Sequence, residues 1–189
     1  MGEMKNNFID VDNKKNKSDF VVPKQILGAS FYWYERDPEL FHDEVKAMNH
    51  YFPKYKLTKM RDGRIAWHGK IKPENIRKNS VWEIMVVYDN NHPHNNSWGG
   101  SLRVYSVVPD LNAYARKKNL NIPHTLRDSF GNLYICTAHP GDFDVGDVIT
   151  SASSAVGWAA TWISKFELWD AGIISIEDFK SERPPRRRY

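Results

Sequence analysis

The chain has 189 residues, 41% of them hydrophobic, which suffices for one domain with a sizeable core but not for two. A single cysteine excludes an intramolecular disulfide, which fits a reducing compartment. No apolar run approaches the roughly 18 residues of a membrane span, and no signal-peptide core is present. A soluble, cytoplasmic protein is therefore predicted. The net charge of +4 lies largely in Lys14–Lys17 and Arg183–Arg188, which favours solvated tails over a nucleic-acid-binding surface.

The first part of the chain is predicted to lead into an amphipathic helix. Residues 1–19 are polar and expected to be mobile, and the folded domain is expected over residues 20–175. Asp37-Pro38 is typical of a helix start, because aspartate caps the first turn and proline suits the first helical position. Apolar residues then recur at helical spacing before Pro53: they are Leu40, Phe41, Val45, Met48 and Phe52.

A four-stranded antiparallel meander is predicted next. The Asp62-Gly63 pair lies between two segments with a period near two and is a strong hairpin signal. The third segment is nearly continuous in apolar residues, as expected of an interior strand, and the fourth stops at Pro109. The predicted strands cover residues 55–60, 64–71, 81–88 and 102–108.

The remaining chain is predicted to be irregular over residues 109–132 and then to contain an extended run that ends at Cys136. Apolar spacing predicts a second helix over about 150–170, with Gly172 in the usual position after its end. A short helix is expected from Ile176, before the basic C-terminal tail. The short helix and the tail together occupy residues 176–189. The element order predicts an α+β fold.

Cys136 is the candidate nucleophile, because an accessible thiolate is an intrinsically strong nucleophile. His124 precedes the cysteine run and His139 follows it, and either imidazole is a candidate base or thiolate-stabilising group. The competing interpretations are a buried, inert cysteine and solvated loop histidines. His92-x-His94 with one cysteine does not match zinc spacing, and no phosphate-binding loop is present, so neither a metal nor a cofactor is predicted.

The order of elements resembles the ubiquitin-conjugating (UBC) fold: an N-terminal helix, a four-stranded antiparallel meander, a cysteine-bearing extended segment and C-terminal helices. The resemblance covers roughly residues 35–172. It is closer to the divergent bacterial branch, which shows Trp-x-Gly on the second strand, Pro-His before the cysteine run, and a tryptophan-rich final helix. The matching segments are Trp67-His68-Gly69, Pro123-His124, Leu133-Tyr-Ile-Cys136 and Trp162-Ile-Ser-Lys-Phe-Glu-Leu-Trp169.

One departure concerns the oxyanion support of the reaction. Typical members place His-Pro-Asn shortly before the cysteine, and the asparagine supports the oxyanion. Here the corresponding offset holds Leu126-Arg127-Asp128. His124, Asn132 and His139 are the candidates to replace that asparagine.

The resemblance implies a bacterial ubiquitin-conjugating-enzyme-like acyl transferase in which Cys136 forms a thioester with a protein C-terminus. Similar stand-alone proteins occur in cyclic-oligonucleotide-based anti-phage signalling systems (CBASS), which implies antiviral defence. The implied partner is a cGAS-like nucleotidyltransferase or a ubiquitin-like protein. Two alternatives remain: a catalytically inactive UBC-like module that binds and regulates such a partner, and a basic nucleic-acid-binding protein.

Overall fold

The computed structural model describes residues 32–73, 80–94, 98–137 and 150–181. Within these ranges the chain forms five helices and six strands. The helices are α1 Trp33–Arg36, α2 Pro38–Tyr51, α3 Leu111–Lys118, α4 Ala152–Asp170 and α5 Ile176–Ser181. The strands are β1 Lys56–Lys59, β2 Ile65–Ile71, β3 Trp82–Tyr88, β4 Leu102–Val108, β5 Thr125–Arg127 and β6 Leu133–Ile135. No helix in these ranges is both long and apolar enough to cross a bilayer.

The strands form one antiparallel sheet in the order β1-β2-β3-β4-β6-β5. The predicted α+β class and the four-strand meander are confirmed. The sheet is larger than predicted, however, because the cysteine-bearing segment is β6 and pairs with both β4 and β5. Each of the two added strands has only three residues, too few to show a clear period in the sequence.

The predicted helices near residues 38–52, 150–170 and from Ile176 are confirmed as α2, α4 and α5. The prediction of irregular structure over 109–132 is wrong in part, because this segment contains α3 and β5. Asp110 caps α3 by accepting hydrogen bonds from two backbone amides. The buried residues of this helix are Leu111 and Ala115. A helix this short and polar leaves little periodic signal. The predicted lead at 1–19 and most of the basic tail lie outside the described residues.

The sheet is buried on both faces. One face packs with α2 and α4 into the main core, which includes Met48, Ile84, Val104 and Ile135. The other face carries a smaller buried cluster of Ala66, Met85, Val87, Tyr105 and Tyr134. Successive residues of β6 therefore alternate between the two: Leu133 and Ile135 belong to the first, Tyr134 to the second.

The motif Trp67-His68-Gly69 has a packing reason. A Cβ on Gly69 would lie 2.5 Å from three ring atoms of Tyr55, so only glycine lets the tyrosine ring lie against β2. The indole of Trp67 donates to the hydroxyl of Tyr88 at 3.2 Å within the main core. Both features fix β2 within the core.

The tryptophan-rich motif of α4 also has a structural role. Glu167 is 2% exposed, and its Oε1 accepts from the indole of Trp82 at 2.7 Å and from the hydroxyl of Ser80. Trp162 donates to the carbonyl of Pro123 at 3.1 Å. α4 is therefore anchored both to β3 and to the segment that leads into β5.

Candidate functional site

Cys136 immediately follows β6 and is half-buried. Ile135, the preceding residue, lies opposite Val104 of β4 and opposite Thr125 of β5. Continuing both antiparallel registers by one residue places Arg103 on one side of Cys136 and His124 on the other. The backbone amide of Cys136 donates to the carbonyl of His124 at 2.9 Å, which confirms the second placement directly.

The imidazole of His124 is held against α5. Its backbone φ of 52° breaks the strand alternation that would otherwise direct the side chain to the same face as Cys136. The ring centroid lies 6.2 Å from that of Phe179, and Nε2 lies 3.1 Å from the carbonyl oxygen of Lys180. A carbonyl only accepts, so Nε2 carries the hydrogen in this bond and, in the neutral ring, Nδ1 is the acceptor.

The segment before β5 is fixed by several contacts. The hydroxyl of Thr125 donates to the carbonyl of Ile122 at 2.7 Å, and Trp162 donates to the next carbonyl, that of Pro123. Together with the bond from His124 to α5, these contacts hold the strand end that flanks Cys136. The site is thus supported by both C-terminal helices.

Tyr134 is the neighbour of Cys136 on the same face of β6. Its ring centroid lies 5.7 Å from that of Tyr105, and the guanidinium of Arg103 lies 5.7 Å from the same Tyr134 centroid. Burial raises the pKa of Tyr134; Arg103 opposes the rise, whereas Asp89, Cys136 and Asp128 add to it. The phenol is therefore neutral at ordinary pH and lies within electrostatic reach of the cysteine.

Arg103 is the cation on this face. Its side chain is 27% exposed and lies 3.1 Å from a carboxylate oxygen of Asp89, which is 2% exposed. Burial opposes the charge, but Asp89, Tyr105 and Tyr134 favour it, so the pKa of Arg103 is raised overall. A permanently charged guanidinium, fixed by a buried carboxylate, thus faces the side of the sheet on which Cys136 lies.

Asp128 and Asn132 organise the turn between β5 and β6, at the end of the hairpin away from Cys136. One oxygen of Asp128 accepts from the amides of Phe130 and Asn132 at 2.9 Å each. The other accepts from the side-chain amide of Asn132 at 3.0 Å and from the hydroxyl of Tyr105 at 3.2 Å. The side chain of Asn132 therefore has a structural partner at the hairpin tip.

Of the other histidines considered in the sequence, His139 lies outside the described residues. His92 is 2% exposed, with Nδ1 2.7 Å from the hydroxyl of Ser101. Burial, followed by the charge of His94, lowers the pKa of His92 to about 4, so its ring is neutral and structural. Within the described part of the chain, no three metal-ligating side chains are close enough together to hold an ion.

Sequence reasoning located Cys136 and His124 but missed Arg103 and Asp89. The signal for Arg103 was one arginine inside the apolar strand Leu102–Val108, where a charge needs a partner. Its position beside Cys136 depends on the pairing of β4 with β6, which are separated along the chain by α3 and β5.

The comparison with protein families identifies a family for this chain. A family model described as "Type II CBASS E2 protein" matches residues 44–172, which is more than half of the chain and contains Cys136, His124 and Arg103. No curated protein matches the chain at a significant level. The resemblance to the E2-like, or ubiquitin-conjugating-enzyme-like, proteins of CBASS is confirmed, and the chain belongs to the type II CBASS E2 protein family.

Proposed function

We propose that the protein is an acyl transferase that carries the C-terminal acyl group of another protein as a thioester on Cys136. The support is the family match together with the position of Cys136 at a strand end, half-buried and flanked by two other strands. A half-buried thiol at the end of a rigid strand is held in place while one side stays within reach of a second protein.

The proposed chemistry has two acyl-transfer steps. The thiolate of Cys136 attacks the carbonyl carbon of an activated acyl donor, such as a protein thioester, and a tetrahedral oxyanion forms. When this intermediate collapses, the donor thiolate leaves and the acyl group stays on Cys136. An amine then attacks the new thioester, the thiolate of Cys136 leaves, and the amine proton passes to a base, giving an amide.

His124 keeps the role of proposed helper in this scheme. Its carbonyl fixes the backbone of Cys136, and its Nε2 is bonded to α5, so proton transfer by this ring would use Nδ1. His139 remains a second proposed helper. The role of the His124 imidazole is separable from that of the His124 carbonyl, because His124→Asn keeps the backbone and removes the titratable ring.

The proposed partner is a cGAS-like nucleotidyltransferase, or a ubiquitin-like protein, whose C-terminus is the acyl group. This proposal follows from membership of a CBASS family and from the resemblance of the chain to stand-alone conjugating proteins of such systems. The proposed setting is antiviral defence.

The test is to trap the adduct without an activating enzyme. A short peptide from the C-terminus of the nucleotidyltransferase, prepared as a small-molecule thioester, is incubated with wild type, Cys136→Ser and Cys136→Ala, and intact mass is measured. Wild type should gain the acyl mass and lose it on treatment with excess thiol, whereas the serine variant should retain a thiol-resistant oxyester. The alanine variant should gain nothing.

Two outcomes would overturn the proposal. If Cys136→Ala acquires the same adduct, the acyl group lies elsewhere. If wild type acquires none, while Cys136→Ala protects cells from phage as well as wild type does, the inactive regulatory module is the correct interpretation.

A further inference from the structure

Arg103, on the strand beside Cys136, is a positive group that the established family membership leaves without a role. β4 and β6 pair with Val104 opposite Ile135, and continuing this register by one residue places Arg103 opposite Cys136. Residues directly opposite in an antiparallel pair have Cβ atoms about 4.5–5.5 Å apart and side chains on the same face. The position of Tyr134 agrees with this placement, because the charges of both Arg103 and Cys136 shift the pKa of its phenol, and its ring lies beside the guanidinium.

The guanidinium is held in place rather than loosely exposed. Asp89 pairs with it at 3.1 Å and is itself 2% exposed, and the amide of Asp89 donates to the carbonyl of Ser101 at 2.9 Å. The Tyr134 ring lies under the guanidinium. An arginine fixed on two sides keeps its charge in one place, so its field acts on a defined neighbouring point.

A fixed cation beside a thiol has two chemical consequences. It favours the thiolate, which is the nucleophilic form of cysteine. It also stabilises the oxyanion that develops when the thiolate adds to a carbonyl group, at a site partly shielded from water. Both effects act in the two acyl-transfer steps proposed above.

We propose that Arg103 is the group that stabilises the negative charge at Cys136, with Asp89 as the positioning residue that holds it and moderates its charge. This inference rests on the proposed function, since it assigns a role within that reaction. Arg103 acts on the thiolate before the reaction and on the acyl oxyanion during it. Asp89 acts only through Arg103 and through its own negative charge.

Other ionisable groups also lie on this side of the sheet, and their charges determine how a substitution changes the ionisation of Cys136. Tyr105 and Tyr134 are neutral phenols, since burial raises the pKa of each. Asp128 is engaged in the hairpin turn, and the ring of His124 is directed to α5. Arg103 is thus the permanent positive charge among the described groups that face Cys136 from the neighbouring strands.

The test is the pH dependence of thiol alkylation, and it needs no acyl donor. Because Cys136 is the single cysteine, the rate of reaction with iodoacetamide reports on this thiol alone. Arg103→Gln should move the midpoint of the rate profile upward by about 0.5–1 pH unit, which slows alkylation about three- to tenfold below the midpoint. Arg103→Lys should restore most of the rate, and added salt should reduce the difference between wild type and Arg103→Gln.

Asp89→Asn provides a second arm of opposite sign. Asparagine keeps an oxygen that accepts from the guanidinium but removes the compensating negative charge, so Arg103 stays in place and the midpoint should move downward. Arg127→Gln is the matched control: it removes the same charge from an exposed arginine near the hairpin tip and should shift the midpoint less than Arg103→Gln does. Near-UV circular dichroism verifies that each variant retains its packed aromatic side chains.

An unchanged midpoint in a folded Arg103→Gln variant overturns the inference. If that variant loses its near-UV signal, the Asp89→Asn arm decides, and an upward or absent shift overturns the inference instead. Failure of the acyl-trapping experiment with a normal alkylation result would count against the proposed function and leave the charge effect of Arg103 established.

Discussion

The buried carboxylate of Glu44 joins three elements of the domain, and its replacement has a calculable outcome. Glu44 lies on α2 and is 4% exposed. Its Oε2 accepts from the hydroxyl of Tyr88 on β3 at 2.5 Å and from the amide of Ala152, at the start of α4, at 2.8 Å. We therefore compare two variants, Glu44→Ala and Glu44→Gln.

The alanine variant removes the acceptor of two buried donors. A buried donor left without a partner costs about 1–3 kcal/mol, so Glu44→Ala should lower the free energy of unfolding by about 2–6 kcal/mol. Glutamine retains a carbonyl oxygen where Oε2 lies, and both donors reach that same atom. Glu44→Gln should therefore cost much less than Glu44→Ala.

The glutamine variant also makes a prediction about pH. Burial raises the pKa of Glu44; the hydrogen bonds from Tyr88 and Ala152 oppose the rise, and Asp43 adds to it. Because the folded-state pKa exceeds the unfolded value of 4.5, the stabilising contribution of Glu44 is fully present below pH 4.5 and is lost as the pH rises through the folded-state pKa. Glutamine does not ionise, so the stability of Glu44→Gln relative to wild type should increase with pH.

The assay is urea unfolding followed by tryptophan fluorescence at about pH 5 and about pH 8. The control is Glu39→Gln, which removes an exposed carboxylate from the same helix and should show no such growth with pH. If the stability of Glu44→Gln relative to wild type stays constant or decreases from about pH 5 to about pH 8, folding does not raise the pKa of Glu44.

Substitutions at three further positions test the packing that supports the site. Gly69→Ala forces a Cβ into the ring of Tyr55 and should cost about 1–3 kcal/mol, measured as a lower thermal midpoint; an unchanged midpoint would show that the ring moves aside at little cost. Glu167→Ala leaves the indole N–H of Trp82 without its acceptor and should cost about 2–5 kcal/mol in urea unfolding, while Glu167→Gln should cost less; equal losses would contradict the hydrogen-bond argument. Because burial lowers the folded-state pKa of His92 from 6.5 to about 4, its contribution is present above pH 6.5 and declines as the pH falls toward 4, by on the order of 3 kcal/mol. His92→Gln should flatten that part of the stability curve, and an equally steep acid decline would assign it to other groups.

Elements made by neighbouring residues were predictable from the sequence. The turn at Asp62-Gly63 is one example: Gly63 has a φ of 86°, and the amide of Met60 donates to the carbonyl of Arg64 at 2.8 Å across the hairpin. The cap of α2 by Asp37, whose side chain accepts from the amide of Leu40 at 3.0 Å, is another. Such features depend on contacts within a few residues, so the local pattern is enough.

The tryptophan motif of α4 was recognised from the sequence without its reason. The sequence shows a glutamate between apolar residues, and the structure shows that Glu167 is a buried acceptor for Trp82. The partner lies on β3, far along the chain. A buried carboxylate requires a donor, but its identity does not follow from local spacing.

The proposed reactive centre likewise contains features that the sequence predicts and features that only the tertiary structure decides. Cys136 was predicted as the candidate nucleophile from residue chemistry, because the chain has one thiol and a thiolate is a strong nucleophile. The neighbours of that thiol follow from the insertion of β6 between β4 and β5, which brings Arg103 and His124 to either side of it. Strand order and register are set by the packing of both sheet faces over the whole domain, and a one-residue slip would put every side chain of β6 on the opposite face. Local sequence thus specifies the thiol and most of the elements around it, whereas the position of the charge proposed to act on the thiol is specified only when the sheet is complete.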